Sequence, residues 1–112
     1  MKIYHNPRCS KSRQGLQILK DASQDVEVVD YLKNPPTPKE LKEILQLLGF
    51  TPIELVRKNE AIWKEKFKGK ELSDTEIIKA MCEHPKLIER PIIVKGNKAV
   101  LGRPPENINI LL

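Results

Sequence analysis

The pattern of apolar and polar positions predicts, in order, a βαβ unit, a helical segment, a β-hairpin and a final helix. Apolar runs at Ile3–Tyr4 and Val26–Val29 predict two strands. The segment from Ser10 to about Lys20 has apolar residues at helical spacing and would join them. Two strands joined by a crossover helix pair in parallel, whereas a hairpin pairs antiparallel. The order therefore predicts an α/β fold with a small mixed sheet.

Two capping boxes mark the starts of helices in the middle of the chain. Thr37 precedes Glu40 by three residues, and Ser73 precedes Glu76 by three, which is the spacing at which side chains and backbone N–H groups bond reciprocally. Apolar residues follow the first box at i, i+3, i+4 and i+7, up to Gly49. We expect these two helices to be the best defined of the segment.

Weaker patterns complete the prediction. Short helices are expected towards Arg57 and over 60–67, where Trp63 is interpreted as a core side chain. The runs flanking Lys95–Lys98 predict the β-hairpin. Pro104-Pro105-Glu106 begins the C-terminal helix, whose expected inner face is Ile108, Leu111 and Leu112.

The length of 112 residues fits one domain. We therefore interpret 1–112 as a single domain with a helical insertion at about 37–88. No apolar run is long enough for a signal peptide or a membrane span, so no membrane partner is expected. Two cysteines far apart in sequence do not form a disulfide framework. Together these features favour a cytoplasmic protein, in which thiols stay reduced.

The net charge of +5 arises from basic residues that are scattered among acidic ones, and aromatic residues make up only 4% of the chain. Because bases stack on aromatic side chains, no nucleic acid is expected as a partner. A small anionic substrate suits this charge at least as well. No Cys/His cluster has the spacing of zinc ligands, so neither a metal nor another bound cofactor is expected.

The strongest chemical signal is Cys9, which follows the first predicted strand and begins the first predicted helix. The free N–H groups of a first helical turn stabilise an anion, and a cysteine placed there has a lowered pKa. Arg8, Lys11 and Arg13 add positive charge, and His5 adds more when protonated. These features predict that Cys9 is a reactive thiolate rather than a buried structural cysteine.

The stretch Asn6-Pro7-Arg8-Cys9-Ser10-Lys11-Ser12-Arg13 resembles the motif of the glutaredoxin-dependent arsenate reductases, the ArsC family. The resemblance runs almost end to end. It also covers Tyr31–Pro36, Leu55–Asn59, His84-Pro85, Arg90–Val94 and Gly102–Pro104. It implies a thioredoxin-like fold, in which an X–Pro bond beside the active cysteine is cis. Arg90–Pro91 is the bond at that position.

The resemblance also implies the chemistry of the site. Cys9 would attack arsenate or a similar oxyanion, which Arg57, Arg90 and Arg103 would hold, and His5 would tune the cysteine. Guanidinium groups suit this task because they bind tetrahedral anions through paired donors and stay charged. Among the thiolate-stabilising residues, Arg13 adds charge, and the hydroxyl of Ser12 can donate a hydrogen bond to the thiolate.

Ser12 indicates how Cys9 is returned to its free thiol after it has reacted. It stands where a Cys-x-x-Cys motif has its second cysteine. The other thiol, Cys82, is expected to lie on a helix with its side chain packed, away from Cys9. The reducing thiol would then come from outside, first as the co-substrate glutathione and afterwards from glutaredoxin.

Three other classes of protein share part of this pattern. Regulators of the Spx type share the implied fold and bind RNA polymerase, but they usually carry the Cys-x-x-Cys switch that Ser12 excludes. A phosphatase-like arsenate reductase needs an arginine six residues after its cysteine, where this chain has Gly15. A glutathione-linked oxidoreductase of another substrate stays open. We expect an enzyme, a glutathione- and glutaredoxin-dependent arsenate reductase.

Overall fold

The computed structural model describes all 112 residues, which form two units by their internal contacts: 1–34 with 90–112, and 35–89. The second unit occupies almost the same range as the predicted helical insertion. Each unit is described in turn. That they make up one domain stays a prediction.

The first unit contains a four-stranded sheet. Its strands are β1 (Lys2–His5), β2 (Glu27–Asp30), β3 (Ile92–Lys95) and β4 (Lys98–Leu101). The order across the sheet is β2-β1-β3-β4, with β1 parallel to β2 and the two other pairings antiparallel. This confirms the predicted α/β class, with a βαβ unit and a hairpin in one mixed sheet. The parallel register places His5 opposite Asp30 at the carboxyl ends of β1 and β2.

Helix α1 (Ser10–Asp21) joins β1 to β2, as predicted. Its buried residues are Ser12, Gly15 and Leu19, whereas Leu16 is half-buried, as is Ala22 directly after the helix. The buried stripe includes two small residues because neighbouring side chains come very close to the helix there. A Cβ atom on Gly15 would lie 3.0 Å from both Ile108 Cδ1 and Pro91 Cγ.

The C-terminal segment differs from the prediction. Pro105–Leu111 is a 3₁₀ helix, and Leu112, predicted on the inner face, is 47% exposed. Three residues per turn bring every third side chain to one face. Pro105, Ile108 and Leu111 are accordingly all buried, and Leu112 falls outside that face. Ile108 and Leu111 complete the apolar core of this unit with Ile3, Leu19 and Ile93.

The second unit is helical. It contains α2 (Pro38–Leu48), a 3₁₀ turn (Pro52–Leu55), α3 (Ala61–Lys66), α4 (Asp74–Glu83) and a second 3₁₀ turn (Pro85–Leu87). Both predicted capping boxes are confirmed, with Thr37 and Ser73 each accepting from the backbone N–H three residues later. Gly49 ends α2 in the left-handed conformation, at φ 70°. Trp63 is buried as predicted and stacks on Phe67. No helix has both the length and the apolar character that crossing a bilayer requires.

Candidate active site

Cys9 occupies the N-cap position of α1, directly after the loop that leaves β1. Its backbone N–H donates to the Asn6 carbonyl oxygen at 3.0 Å, and its own carbonyl accepts from Arg13 N–H at 3.0 Å. The thiol is half-buried and free of any disulfide. The helix start therefore lies where the sequence predicted it, with Cys9 at the end of α1 that carries the unpaired N–H groups.

The surroundings of Cys9 favour its thiolate. Burial by itself raises the pKa of the Cys9 thiol, but four contributions act against it. These are a hydrogen bond from the Ser12 backbone N–H, the positive charge of Arg90, a bond from the Lys11 backbone N–H, and a hydrogen bond from the Arg90 side chain. Together they hold the pKa below its usual value.

Arg90 is the second notable side chain of the site. It belongs to the same unit as Cys9, and it precedes Pro91 through a cis peptide bond, as the sequence led us to expect. It is only 8% exposed, yet Nε and Nη1 are buried without a hydrogen-bond partner. Buried guanidinium nitrogens are normally paired, because an unpaired buried donor costs about 1–3 kcal/mol. The guanidinium of Arg90 therefore keeps two buried donors that no group of the protein satisfies.

The Pro91 ring explains how Arg90 reaches Cys9. The ring lies against Gly15 in α1 and against Gly102, whose N–H donates to the Pro91 carbonyl at 2.8 Å. Only hydrogen atoms at the two glycines allow this approach, because a Cβ on Gly102 would lie 2.9 Å from Pro91 Cγ. The strand end bearing Arg90 is thus held against the second turn of the helix that Cys9 begins.

Arg103 follows Gly102 directly, so its backbone lies at the same pair of strand ends as that of Arg90. It is half-buried, its carbonyl accepts from the Asn107 side chain at 3.2 Å, and its bond to Pro104 is also cis. The placement of Arg103 beside the Arg90 segment is consistent with the expected arginine set, and its role at an anion stays a prediction.

Arg57 belongs to the second unit and follows the bridge between Val56 and Ile88. Its Nη1 donates to Glu60 Oε1 at 2.6 Å, and its Nε lies 3.9 Å from Glu89 Oε1. The expected anion-binding arginine is therefore held between two carboxylates. Sequence reasoning missed both partners, although the i, i+3 spacing of Arg57 and Glu60 was a visible signal.

His5 and Ser12 form a buried pair behind the cysteine. The His5 Nδ1 atom lies 2.7 Å from Ser12 Oγ, which also accepts from the Asn6 N–H at 2.9 Å. The Ser12 contribution that the structure shows at Cys9 is therefore its backbone N–H rather than the expected hydroxyl. Burial lowers the pKa of His5, although the negative charge of Asp30 and a hydrogen bond with the Ser12 backbone act in the opposite direction. His5 thus favours its neutral form.

Two further residues of the sequence analysis are Arg13 in the first unit and Cys82 in the second. Arg13 is exposed, and its Nη1 donates to the Pro7 carbonyl at 2.9 Å, which braces the loop before Cys9. Cys82 lies on α4 in the second unit, where it is half-buried rather than part of the core. It lines a groove of about 750 Å³ together with Lys39, Lys42 and Lys79. Burial, with the nearby carboxylates of Glu40 and Glu83, raises the pKa of its thiol.

Comparison with known proteins places this arrangement. The family model of the ArsC family matches residues 4–111. The chain belongs to the ArsC family. It is 41% identical to an arsenate reductase of Neisseria meningitidis, over 100% of this chain and 97% of that protein. It is 46% identical to YfgD, an uncharacterized protein of Escherichia coli K12, over 96% of this chain and 92% of that one.

The solved structures agree. An arsenate reductase from Vibrio cholerae superposes with a TM-score of 0.94 at 44% identity, covering 100% of this chain and 98% of that one. This confirms both the family resemblance drawn from the motif and the thioredoxin-like α/β fold that it implied. No cluster of three or more His, Cys, Asp or Glu side chains has the geometry of a metal site.

Proposed function

We propose that this ArsC-family chain reduces arsenate to arsenite through an adduct on Cys9, with glutathione and glutaredoxin as electron donors. One observation carries the proposal: the buried guanidinium of Arg90 has two unpaired N–H-bearing nitrogens and lies beside a thiol whose pKa is lowered. A nucleophile and an incomplete set of anion donors thus meet at one place. The named arsenate reductases among its relatives support arsenate as the anion.

In the first step the Cys9 thiolate attacks arsenic, and one protonated oxygen leaves as water. The product is a thioester-like S–As(V) adduct with no change of oxidation state. Arg90 offsets the repulsion between thiolate and oxyanion and stabilises the charge that develops on oxygen. We assign Arg57 and Arg103 to the same anion from the family motif. His5 and Ser12 hold the loop and the helix start, so that the backbone donors of Ser12 and Lys11 point at sulfur.

In the second step an external thiolate attacks the Cys9 sulfur. A disulfide forms, the S–As bond breaks, and its electron pair stays on arsenic, which leaves as arsenite. Arsenic is reduced by two electrons, and two thiol sulfurs are oxidised to the disulfide. Glutaredoxin then attacks the glutathione sulfur and releases Cys9 as the thiolate, a good leaving group because its pKa is lowered. We place this chemistry in the cytoplasm, where both free cysteines would stay reduced.

The test is arsenate-dependent oxidation of NADPH in the presence of glutathione reductase, glutathione and glutaredoxin. Turnover is expected for the wild-type chain and for Cys82→Ser, and none for Cys9→Ser. Loss of turnover in Cys82→Ser, with a Cys9–Cys82 disulfide trapped in the wild type, would refute the external donor. NADPH oxidation that responds to another oxidant but not to arsenate would favour a glutathione-linked oxidoreductase of different substrate.

A further inference from the structure

A second cavity lies at the carboxyl ends of β1 and β2, next to the loop that carries Cys9. Its volume is about 340 Å³. It is lined by Asn6, Pro7, Arg8, Asp30, Leu32 and Lys33. Cys9 follows Arg8 in the chain, and its N–H is bonded to the Asn6 carbonyl at 3.0 Å. The wall of the cavity therefore ends at Arg8, the residue that precedes Cys9 in the chain. Arg90, the proposed anion donor, does not line it.

The two cationic side chains of the cavity, Arg8 and Lys33, have no ion-pair partner in the protein. Arg8 and Lys33 are exposed, and neither takes part in an ion pair of the chain. The carboxyl group of Asp30, which also lines the cavity, adds one negative charge. Two cations and one carboxylate around a cavity of this volume match a ligand that carries two carboxylates and one ammonium group.

Hydrogen bonds within the protein hold the backbone that lines the cavity. On one side, Asn6 Oδ1 accepts from the Arg8 N–H at 3.0 Å, and Arg13 holds the Pro7 carbonyl at 2.9 Å. On the other side, Asp30 Oδ1 accepts from the Leu32 N–H at 3.2 Å, and the Asp30 carbonyl accepts from the Lys33 N–H at 3.1 Å. A site ordered in advance loses less conformational entropy on binding.

We propose that this cavity binds the reducing thiol, and that its ligand is a small peptide thiol with two carboxylates and one ammonium group, of which glutathione is the cellular example. The inference rests on the proposed function, because it deepens the second step of that reaction. Arg8 and Lys33 pair with the carboxylates, and Asp30 pairs with the ammonium group. The bound thiolate attacks the Cys9 sulfur, a disulfide forms, and the group previously bonded to that sulfur leaves with the electron pair.

The test isolates this step from arsenate. In a Cys82→Ser background, Cys9 is converted to its mixed disulfide with 5-thio-2-nitrobenzoate, and release of the coloured thiolate is followed after addition of glutathione or of uncharged 2-mercaptoethanol. The readout is the ratio of the two second-order rate constants. Any change in the general reactivity of Cys9 affects both thiols and cancels in this ratio. The variants are Arg8→Gln, Lys33→Gln and their combination, with Lys11→Gln as the control.

Lys11 is the matched control because it is exposed and two residues from Cys9, yet does not line the cavity. Each cavity variant is expected to lower the ratio about three- to tenfold, the effect of one lost surface hydrogen bond, while Lys11→Gln changes it by less than about twofold. An unchanged ratio in the double variant would overturn the proposal. An equal fall in Lys11→Gln would also overturn it, because it would show general attraction of an anionic thiol.

The two proposals fail separately. If the wild type does not turn over arsenate but the cavity variants lose the preference for glutathione, the arsenate reaction is refuted and the thiol site is supported. If the wild type reduces arsenate but the thiol ratio is unchanged in the variants, the thiol site is refuted and the reaction is supported.

Discussion

The imidazole Nδ1 of His5 lies 2.7 Å from the hydroxyl oxygen of Ser12, and the two side chains are 7% and 0% exposed. His5 ends β1, and Ser12 lies in the first turn of α1, so the contact ties the strand to the helix across the loop that carries Cys9. The same oxygen accepts from Asn6 N–H at 2.9 Å. One hydroxyl thus bonds both the buried His5 ring and the part-buried Asn6 N–H, and it fixes the position of the Ser12 backbone at the start of the helix.

Ser12→Ala should therefore destabilise the chain. The substitution leaves Asn6 N–H and the His5 ring without their partner in a buried place, where an unsatisfied group costs about 1–3 kcal/mol. Urea unfolding of the variant, compared with the wild type and with the exposed Ser10→Ala, would measure the difference in the free energy of unfolding. A loss no larger than that of Ser10→Ala would contradict the assigned role.

Cys9 should react with iodoacetamide before Cys82. The pKa of Cys9 is lowered and that of Cys82 is raised, so a larger fraction of Cys9 is thiolate at any mildly acidic pH. Peptide mapping after brief labelling at about pH 6 would give the order of modification, and Cys9→Ser and Cys82→Ser would assign the two rates. Faster labelling of Cys82 would show that the nucleophile is wrongly identified.

Arg90→Met should keep or raise the stability of the ligand-free chain while abolishing its response to arsenate. The substitution removes two buried unpaired donors, so the free energy of unfolding should rise by up to about 3 kcal/mol. Arsenate should stabilise the wild type against urea by linkage, and should not stabilise the variant. The free energy of transition-state stabilisation, taken from the ratio of the kcat/KM values, should fall by about 1.5–3 kcal/mol or more.

Arg8→Met is the matched control for that experiment. Arg8 also neighbours Cys9 in the chain, but it is exposed and lines the cavity at the carboxyl ends of β1 and β2. It should retain the stabilisation by arsenate. Stabilisation lost equally in both variants would mean that arsenate responds to overall charge rather than to the buried guanidinium.

Gly102→Ala should cost more stability than Gly15→Ala. The new Cβ on residue 102 would lie 2.9 Å from Pro91 Cγ and 3.3 Å or less from Ile93 and Ile108 side chains, so the core must shift, at about 1–3 kcal/mol. At Gly15 the closest approaches are 3.0 Å, and about 1 kcal/mol of helix propensity offsets them. Thermal and urea unfolding of the two variants would rank them. Equal stability of Gly102→Ala and the wild type would show that Pro91 is not held as described.

The stability of the protein should decrease at acidic pH partly through His5. Because its pKa is lowered in the native state, the unfolded chain binds more protons at this site below the ordinary value of about 6.5. The contribution of neutral His5 is complete above that value and is lost as the pH falls from it towards the native pKa. His5→Gln should flatten the pH dependence of the free energy of unfolding in this window. An unchanged slope would contradict the assignment.

Local signals in the sequence were sufficient for much of the fold. The Thr37 and Ser73 capping boxes act within four residues, and the two apolar runs of the hairpin are joined by a turn of only a few residues. Both patterns therefore depend on residues that are close together in the chain. The C-terminal helix is present as predicted, but as a 3₁₀ helix with Leu112 outside its buried face. Apolar residues at i and i+3 fit both an α and a 3₁₀ helix, so packing decided between the two.

The candidate site likewise combines features that the sequence predicted with features that it did not. The sequence by itself determined that a cysteine begins a helix among positive charges, because the capping position and the charges lie within a few residues of one another. The family motif indicated the three arginines, and their action on an oxyanion stays a proposal. The pairing of Arg57 with Glu60 had a local signal, but its approach to Glu89 did not.

Only the tertiary structure decided how Arg90 presents its guanidinium. Its burial, its unpaired nitrogens and its bond to Cys9 depend on a strand end that packs on α1 through Pro91, far away along the chain. Such contacts join residues that share no periodicity or spacing. Their geometry is set by how closely the elements pack, which Gly15 and Gly102 permit by having no side chain, and no local pattern of residues records that distance.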